Sequence, residues 1–478
     1  MQKKHILKIL ATPFVIGAWT FSPVVYHVEN NIFVSVAHAE IKTYTATGRA
    51  EFNFGENNPQ LIEMAKNYAR MKAVQAAKEQ AGIYLTSYSK TLNGYLSADD
   101  ISVVASNSAE IIAENYKKVP YVSHDVKDNA TGEIGIAYIA TVTVKIDSEE
   151  LSRYIKRDQK EKSTLIEQVK SSQKNIAEIN QNIADLNKNP EKATATEIEK
   201  IDNKILAEQK NDEGWRAWDN KNFEQALKLF DEAVKLNSNN CRGYCGRGTA
   251  YSDLQNYEQA IKDFNQAIKI NPNYSLAYNN RGLAYYYLKN YTQAISDYNQ
   301  AIELNPNDSE VYYNRGLAYK NLQNYEQAIS DYNKAIKLNQ NYVEAYYNRG
   351  NAYNDLKNYE QAISDYNKAI ELNPDYAKAY NNRGNAYKDL KNYEQAISDF
   401  NKAIELNPNL AVAYRVRGLA YIGLQNYEQA ISDYNKVVEL NPNFAEAYYI
   451  RGLCYQELGQ TDKAEADFAK AKELGYKE

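Results

Sequence analysis

The chain has 478 residues, of which 24% are charged and 44% are hydrophobic, and its formal net charge at pH 7 is −5. A chain of this length is too long for one compact core, so about two to four folding units are expected. The small acidic net charge gives no electrostatic basis for binding nucleic acid, because the neutralisation of phosphates needs a basic surface.

The first 39 residues carry the pattern of an export signal. Lysines precede an apolar run over residues 9–26, and Ala37 and Ala39 provide the small side chains of a cleavage site. An uncleaved membrane anchor is the alternative, but Pro13 and Pro23 interrupt the apolar run. We therefore expect an exported protein whose signal peptide, residues 1–39, is cleaved after Ala39.

Residues 40–153 are expected to form a small α+β domain. Apolar and polar residues alternate over 44–54, which indicates a half-buried strand, and an alanine-rich helix begins near Pro59. Further strands are predicted over 117–126 and, from an unbroken alternation, over 134–146. This layout resembles the N-terminal region of the flagellar assembly protein T and of some small outer-membrane lipoproteins. The resemblance implies an exported protein in the periplasm or cell envelope of a two-membrane bacterium, and it implies no chemistry.

Residues 154–206 are expected to form a helical hairpin or coiled-coil linker. Apolar residues with one polar member recur at alternating spacings of four and three, namely Leu165, Val169, Ser172, Ile176, Ile179, Ile183 and Leu186. An Asn-Pro pair then interrupts the helix, and Thr194 with Glu197 forms a capping-box pattern ahead of a second apolar stripe over 198–205. Two arrangements remain open: an antiparallel hairpin within the chain, or a parallel dimer seam over residues 165–186.

From residue 207 to the C-terminus the sequence repeats itself every 34 residues. There are eight copies: 207–240, 241–274, 275–308, 309–342, 343–376, 377–410, 411–444 and 445–478. A fixed period of this length is the signature of a helix–turn–helix solenoid. In the copy 275–308, Tyr278, Gly282 and Tyr285 share one face of a first helix, and Pro306 ends the second helix because it lacks an N–H.

These positions resemble the tetratricopeptide repeat pattern, which asks for an aromatic residue at repeat position 4, Gly or Ala at 8, Tyr at 11, Ala at 20, Phe or Tyr at 24, Ala at 27 and Pro at 32. The copy 275–308 supplies all of them: Tyr278, Gly282, Tyr285, Ala294, Tyr298, Ala301 and Pro306. Departures occur at Lys210, Ser238, Gln340 and Val437. The resemblance implies a mainly α fold, a right-handed TPR α-solenoid whose inner groove is lined by repeat positions 2, 5, 6, 9, 12 and 13 of the first helices.

The groove positions predict a polar binding surface. Position 6 is asparagine in four successive copies, and positions 5 and 9 add tyrosine and asparagine; the candidate residues are Asn280, Asn314, Asn348, Asn382, Asn351, Asn385, Tyr313 and Tyr347. A side-chain amide offers both a donor and an acceptor, so a row of amides could hold an extended peptide backbone with little regard to its sequence. The alternative is that duplication of near-identical repeats carried these residues along without a binding role.

A carboxylate clamp of the kind that some chaperone-binding tetratricopeptide proteins use is not expected. Asn351 and Asn382 match two positions of that clamp. Tyr347, Val412 and Val416 stand where it needs Lys, Lys and Arg. Recognition of a C-terminal carboxylate through that geometry is therefore disfavoured.

The sequence shows no pattern for catalysis, a cofactor or a metal. Three of the four histidines precede Ala39, so a cleaved chain keeps His124 alone, which argues against Ser–His, Cys–His and His-rich metal sites. The recurrent glycines lie inside predicted helices and form no phosphate loop. The three cysteines, Cys241, Cys245 and Cys454, do not make a disulfide framework and are best explained by helix packing.

We therefore expect a non-enzymatic, exported scaffold or adaptor that binds a protein or an extended peptide in the solenoid groove, with no cofactor and no small-molecule substrate. The alternative is a self-associating spacer protein of the cell envelope. In that case the chain would form a homo-oligomer through residues 165–186.

Overall fold

The computed structural model of the chain describes residues 42–52, 63–77, 110–122, 134–146, 159–188 and 194–476. The predicted signal peptide, residues 1–39, lies outside these ranges, as do residues 53–62, 78–109 and 123–133 of the expected N-terminal domain. None of the described helices is both long enough and apolar enough to span a bilayer.

Three strands form one antiparallel sheet near the N-terminus. They are β1 (Lys42–Phe52), β2 (Glu110–Val122) and β3 (Ile134–Ile146), and β3 lies in the centre, in the order β1-β3-β2. Gly48 of β1 pairs with Ala140 of β3. The alternating pattern gives the bounds of β3 correctly, whereas β2 begins at Glu110, earlier than the pattern over 117–126 predicts.

A three-helix cluster links the N-terminal region to the repeats. Helix α1 covers residues 63–77, and α2 (Gln159–Lys188) and α3 (Ala195–Asp219) follow. Helices α2 and α3 run antiparallel, because Asn175 Nδ2 donates to Glu208 at 2.8 Å while Lys204 Nζ lies 2.7 Å from Glu178. The capping box at the start of α3 is confirmed.

The apolar seam of α2 packs mainly inside the chain. Ile179 and Ile183 share one buried cluster with residues of α1 and α3, and Ile176 and Leu186 pack against its edge. Polar contacts fix the same arrangement, since Tyr68 Oη donates to Asn180 at 2.6 Å. The geometry of these helices is therefore that of an intrachain hairpin covered by α1, and self-association through residues 165–186 stays a prediction.

The repeats form consecutive antiparallel helix pairs. Their first helices are the C-terminal part of α3, then α5 (Cys241–Asp253), α7 (Ser275–Tyr287), α9 (Ser309–Asn321), α11 (Val343–Asp355), α13 (Ala377–Asp389), α15 (Ala411–Gly423) and α17 (Ala445–Glu457). Their second helices are α4 (Phe223–Leu236), α6 (Tyr257–Ile270), α8 (Tyr291–Leu304), α10 (Tyr325–Leu338), α12 (Tyr359–Leu372), α14 (Tyr393–Leu406), α16 (Tyr427–Leu440) and α18 (Thr461–Glu473). Each second helix contacts the first helix of its own repeat and, except in the last copy, that of the next repeat. The predicted α-solenoid is confirmed.

The recurrent glycine sets the distance between the two helices of a repeat. A Cβ added to Gly282 would lie 2.8 Å from Cε1 of Tyr298, which is fully buried. The equivalent Gly350 and Gly384 meet Tyr366 and Phe400 in the same way. The absence of a Cβ at Gly282 therefore allows the two helices of the repeat to approach closely.

The turn inside each repeat uses a left-handed residue, which an asparagine cap follows in every copy but the last, where Gln460 makes no side-chain cap. The residue at repeat position 15 has a positive φ in every copy, for example 59° at Lys357, and the last copy has Gly459 there with a φ of 71°. The next residue, Asn358 in the same copy, accepts a hydrogen bond from the backbone N–H of Gln361 and so caps α12. The cap satisfies one of the amides that the first turn of a helix leaves unpaired.

Lys357→Gly is expected to raise the free energy of unfolding by about 0.5 to 1 kcal/mol, because a left-handed backbone costs more for a residue with a Cβ than glycine loses in entropy on folding. The reverse change, Gly459→Lys, is the matched control and is expected to lower stability by a similar amount. Urea unfolding of both variants beside the wild type tests this, and a loss of stability in K357G would contradict it.

Candidate partner-binding groove

The first helices of three successive repeats surround a polar cleft of about 370 Å³. Its lining comes from repeat positions 6, 9, 12 and 13 of α9, α11 and α13 and consists of Lys320, Asn351, Asn354, Asp355, Asn382, Asn385 and Asp389. All four positions belong to the set predicted to line the inner groove. The structure therefore brings together three of the predicted site residues, Asn351, Asn382 and Asn385.

The charges around this cleft are close to balance. Lys320 Nζ faces Asp355, whose attraction opposes the effect of burial, and burial still lowers the pKa of Lys320. Lys388 Nζ forms an ion pair with Asp389 at 2.5 Å. With each carboxylate close to an ammonium group, the distinctive chemistry of the cleft is that of its amides, which suits neutral hydrogen-bonding groups such as those of a peptide backbone.

The four asparagines at position 6 divide into two pairs. Asn280 and Asn314 are 7% and 6% exposed. Asn280 Nδ2 donates to Thr249 Oγ1 at 3.1 Å, and Asn314 Nδ2 donates to Asn279 Oδ1 at 3.2 Å. Both amides therefore tie their repeat to the preceding one and present little surface to a partner.

The other two asparagines of the row remain partly exposed. Asn348 Nδ2 donates to Tyr313 Oη at 3.0 Å, and Asn382 Nδ2 donates to Tyr347 Oη at 2.9 Å and to Asn351 Oδ1 at 2.8 Å. The two predicted tyrosines thus serve as acceptors for the amide one repeat further on. The predicted row of amides is open at Asn348 and Asn382 and closed at Asn280 and Asn314, and its binding role stays a prediction.

The predicted tyrosines also make tilted ring contacts along the groove. The ring of Tyr313 lies 4.9 Å from that of Tyr342, and the ring of Tyr347 lies 5.0 Å from that of Tyr376. Tyr449 and Tyr476 repeat the arrangement in the last copy, at 4.3 Å. Tyr342 and Tyr376 each precede the next first helix, whereas Tyr476 follows the last helix of the chain, so in all three places the ring is held before any partner arrives.

A row of arginine–aspartate pairs was not anticipated from the sequence and holds each helix pair together. The arginine at position 7 donates from Nε to the aspartate at position 23 of its own repeat, and the distances lie between 2.7 and 2.9 Å in the pairs Arg247–Asp263, Arg281–Asp297, Arg315–Asp331, Arg349–Asp365, Arg383–Asp399, Arg417–Asp433 and Arg451–Asp467. The arginine and aspartate recur sixteen residues apart in every copy from 241 onward, and this spacing is the signal that could have revealed them.

Each of these arginines also reaches the preceding repeat. Arg383 Nη1, for example, donates to Asn367 Oδ1 at 2.6 Å, and its guanidinium lies 5.4 Å from the ring centre of Tyr380. Burial raises the pKa of Asp399, although hydrogen bonds from Arg383 act to lower it. The pairs are therefore structural links along the solenoid, placed away from the lining of the polar cleft.

The described residues contain no cluster of metal-ligating side chains, and the cysteines are not activated. In the described ranges, no three His, Cys, Asp or Glu residues lie close enough to hold a metal ion together. Cys241, Cys245 and Cys454 are free thiols. Burial raises the pKa of Cys454 to about 11 and raises that of Cys245 further, which disfavours the reactive thiolate at neutral pH.

The first half of the groove carries an additional element. Helix α2 contacts α5 and α9, the first helices on either side of α7. Gln168 of α2 donates from Nε2 to Tyr274 Oη at 3.1 Å and accepts from Arg242 Nε at 3.2 Å. Arg242 also lies within 3.1 Å of Glu208 and 2.9 Å of Asp212, both on α3. A buried polar network therefore joins the hairpin to the start of the solenoid.

Stacked antiparallel helix pairs with a fixed 34-residue period define a helix–turn–helix α-solenoid. The family profile described as Tetratricopeptide repeat matches residues 241–274, 275–308, 309–342, 343–376 and 377–410, and further profiles, described as TPR repeat and Tetratricopeptide repeat, match 418–459 and 445–474. The chain belongs to the tetratricopeptide repeat family.

Several solved structures are similar to parts of the chain. A MamA protein is 31% identical over 35% of this chain and 91% of its own, with a TM-score of 0.34. YrrB, described as a TPR protein with an unusual peptide-binding site, is 22% identical over 40% of this chain and 98% of its own, with a TM-score of 0.36. A tetratricopeptide repeat protein of Parabacteroides merdae is 25% identical over 50% and 94%, with a TM-score of 0.40. Among curated proteins no match was found.

Proposed function

We propose that the chain is a non-enzymatic, exported scaffold that binds an extended peptide segment of a protein partner in the part of its inner groove that α9, α11 and α13 form. Membership of the tetratricopeptide repeat family supports a role in protein interaction. The export pattern of residues 1–39 supports a location in the periplasm or cell envelope.

The polar cleft is the observation that carries this proposal. It is open to a partner, it spans three successive first helices, and amides at Asn351, Asn382 and Asn385 line it. An extended chain offers one N–H and one C=O per residue, and amide side chains can pair with both. A groove of this chemistry suits recognition of peptide backbone more than recognition of a particular side chain.

Self-association through residues 165–186 is the alternative function. It would require Ile176, Ile179 and Ile183 to leave the cluster that they form with α1 and α3. Because these side chains already bury their apolar surface inside the chain, little of that surface is left to drive a dimer. The packing thus favours the partner-binding proposal.

Replacing Asn348 and Asn382 by alanine is expected to weaken partner binding at least about tenfold, since two hydrogen bonds at about 1 kcal/mol each exceed the 1.4 kcal/mol that a factor of ten represents. Replacing Asn280 and Asn314 is the matched control, because it removes the same kind of bond between repeats on the closed part of the groove. Binding is measured by capture from an envelope extract of the host with residues 40–478 as bait.

Circular dichroism and thermal unfolding establish that both double variants remain folded. A partner that is lost in N348A/N382A and retained in N280A/N314A supports the groove. A partner retained equally by both folded variants contradicts the proposal and moves the interaction to another face of the molecule.

A further inference from the structure

The burial of repeat position 2 changes abruptly along the groove. Arg242 and Leu276 are each 3% exposed and Glu310 is 2% exposed. The next two residues at this position, Glu344 and Lys378, are exposed. Because the helix pairs repeat with the same backbone, the difference must come from something that lies over the first three of these repeats.

Helix α2 is the covering element. Its contacts run from α5 to α9, and the residues Thr164, Leu165, Gln168 and Ser172 on its first half are between 1% and 7% exposed. Leu165, Gln168 and Ser172 are spaced three and four apart and so share one face of the helix, and Thr164 adjoins Leu165 at the edge of that face. An amphipathic helix of the chain itself is therefore seated on the inner surface of residues 241–342.

We propose that the groove of residues 241–342 is a helix-binding site, which in this structure is filled by α2. The occupant that it fits is an amphipathic helix that presents a buried leucine, a glutamine three residues later and a small hydroxyl side chain four residues after that. A protein partner that carries such a helix competes with α2 for this half of the groove. The site accepts a helix where the polar cleft of the proposed function accepts an extended chain, and the two sites share only helix α9.

The two halves of α2 are held by different interactions. The second half packs through Ile179 and Ile183 into the apolar cluster with α1 and α3. The first half depends on Leu165 and on hydrogen bonds through Gln168 to Arg242 and Tyr274. The first half can therefore leave the groove while the hairpin stays folded, and the groove then gains a free binding surface.

A labelled synthetic peptide of residues 159–175 tests this site when it is added in trans to the full chain. The double variant Leu165→Ala with Gln168→Ala weakens docking in cis, so it is expected to bind the peptide at least about tenfold more tightly than the wild type does. The wild type is expected to bind the peptide more weakly because its own α2 competes for the groove. As a tethered segment, α2 acts at an effective concentration of about millimolar. Fluorescence anisotropy gives both affinities.

Two controls keep the test specific. A peptide with the same two alanines is expected not to bind either chain, and a full chain with Gln181→Ala, an exposed position on the second half of α2, is expected to behave like the wild type. If the double variant loses its cooperative unfolding, Gln168→Ala alone replaces it. Failure of the peptide to bind the folded variant, or equal binding to variant and wild type, overturns the proposal.

Discussion

Phe400→Ala is expected to lower the free energy of unfolding by about 3 to 5 kcal/mol, the cost of truncating a buried aromatic side chain. Phe400 is fully buried and shares a cluster with Ala396 of its own repeat and with Val416 and Ala420 of the next. The cavity would therefore weaken both the helix pair and its contact with the following repeat, which is where the stability of a solenoid resides.

Phe400→Tyr is the matched control, because other copies carry tyrosine at the same position. Tyr366 is fully packed there and donates its hydroxyl to Asn351 at 2.8 Å, and Asn385 is the corresponding residue for position 400. The control is expected to cost less than about 1.5 kcal/mol, as similar-volume changes do. Urea unfolding measures both variants. A loss below about 1 kcal/mol for F400A would contradict the packing described here.

Arg349→Gln is expected to lower the free energy of unfolding by about 3 kcal/mol, because it leaves the carboxylate of Asp365 buried without its partner. Arg349 Nε donates to Asp365 Oδ2 at 2.8 Å, and Asp365 is 5% exposed. The variant also loses the hydrogen bond from Arg349 to Asn333 of the preceding repeat. The damage therefore affects one helix pair and one contact between repeats.

The decrease in the free energy of unfolding caused by Arg349→Gln is expected to depend on pH. Burial already raises the pKa of Asp365 in the folded chain, and hydrogen bonds from Arg349 hold that rise in check. Without the arginine the pKa rises further. A carboxyl whose pKa is higher in the folded chain than in the unfolded chain stabilises the folded state most at pH values below its unfolded pKa of about 3.9. This stabilisation is lost as the pH rises through the pKa of the folded chain.

The destabilisation of R349Q relative to the wild type is therefore expected to be largest at neutral pH and to shrink as the solution is acidified. Arg349→Gln combined with Asp365→Asn is the matched control, since it removes the buried charge and is expected to recover part of the loss at neutral pH. Thermal unfolding at neutral and mildly acidic pH measures these differences. A loss of stability that does not change with pH would contradict the assignment of the pH dependence to the carboxyl of Asp365.

The architecture of the repeats could be predicted because each residue that determines it acts within one copy. Gly282 and Tyr298 meet inside a single helix pair, so the spacing between them already contains the contact. The arginine–aspartate pairs have the same local character. They were missed because the motif of glycine and aromatic residues explained the repeat without them.

Which groove residues are buried and which are exposed could not be predicted, because their burial depends on α2, a segment distant in sequence. Asn280 and Asn348 occupy the same repeat position and differ in burial, although their immediate sequences are nearly the same. The difference coincides with the part of the solenoid that α2 covers. The heptad spacing in α2 correctly indicated an apolar seam, but spacing alone could not distinguish an intrachain hairpin from a dimer.

Site-specific photo-cross-linking in the host tests the central claim most directly. A photoreactive residue in place of Asn385, in the polar cleft, is expected to yield one major adduct with a partner, and this adduct should disappear when Asn348 and Asn382 are also changed to alanine. The same photoreactive residue in place of Gln395, on the exposed face of α14, is the control and is expected to yield none. An adduct from Gln395 equal to that from Asn385, or an Asn385 adduct unaffected by the double change, would contradict binding in the groove.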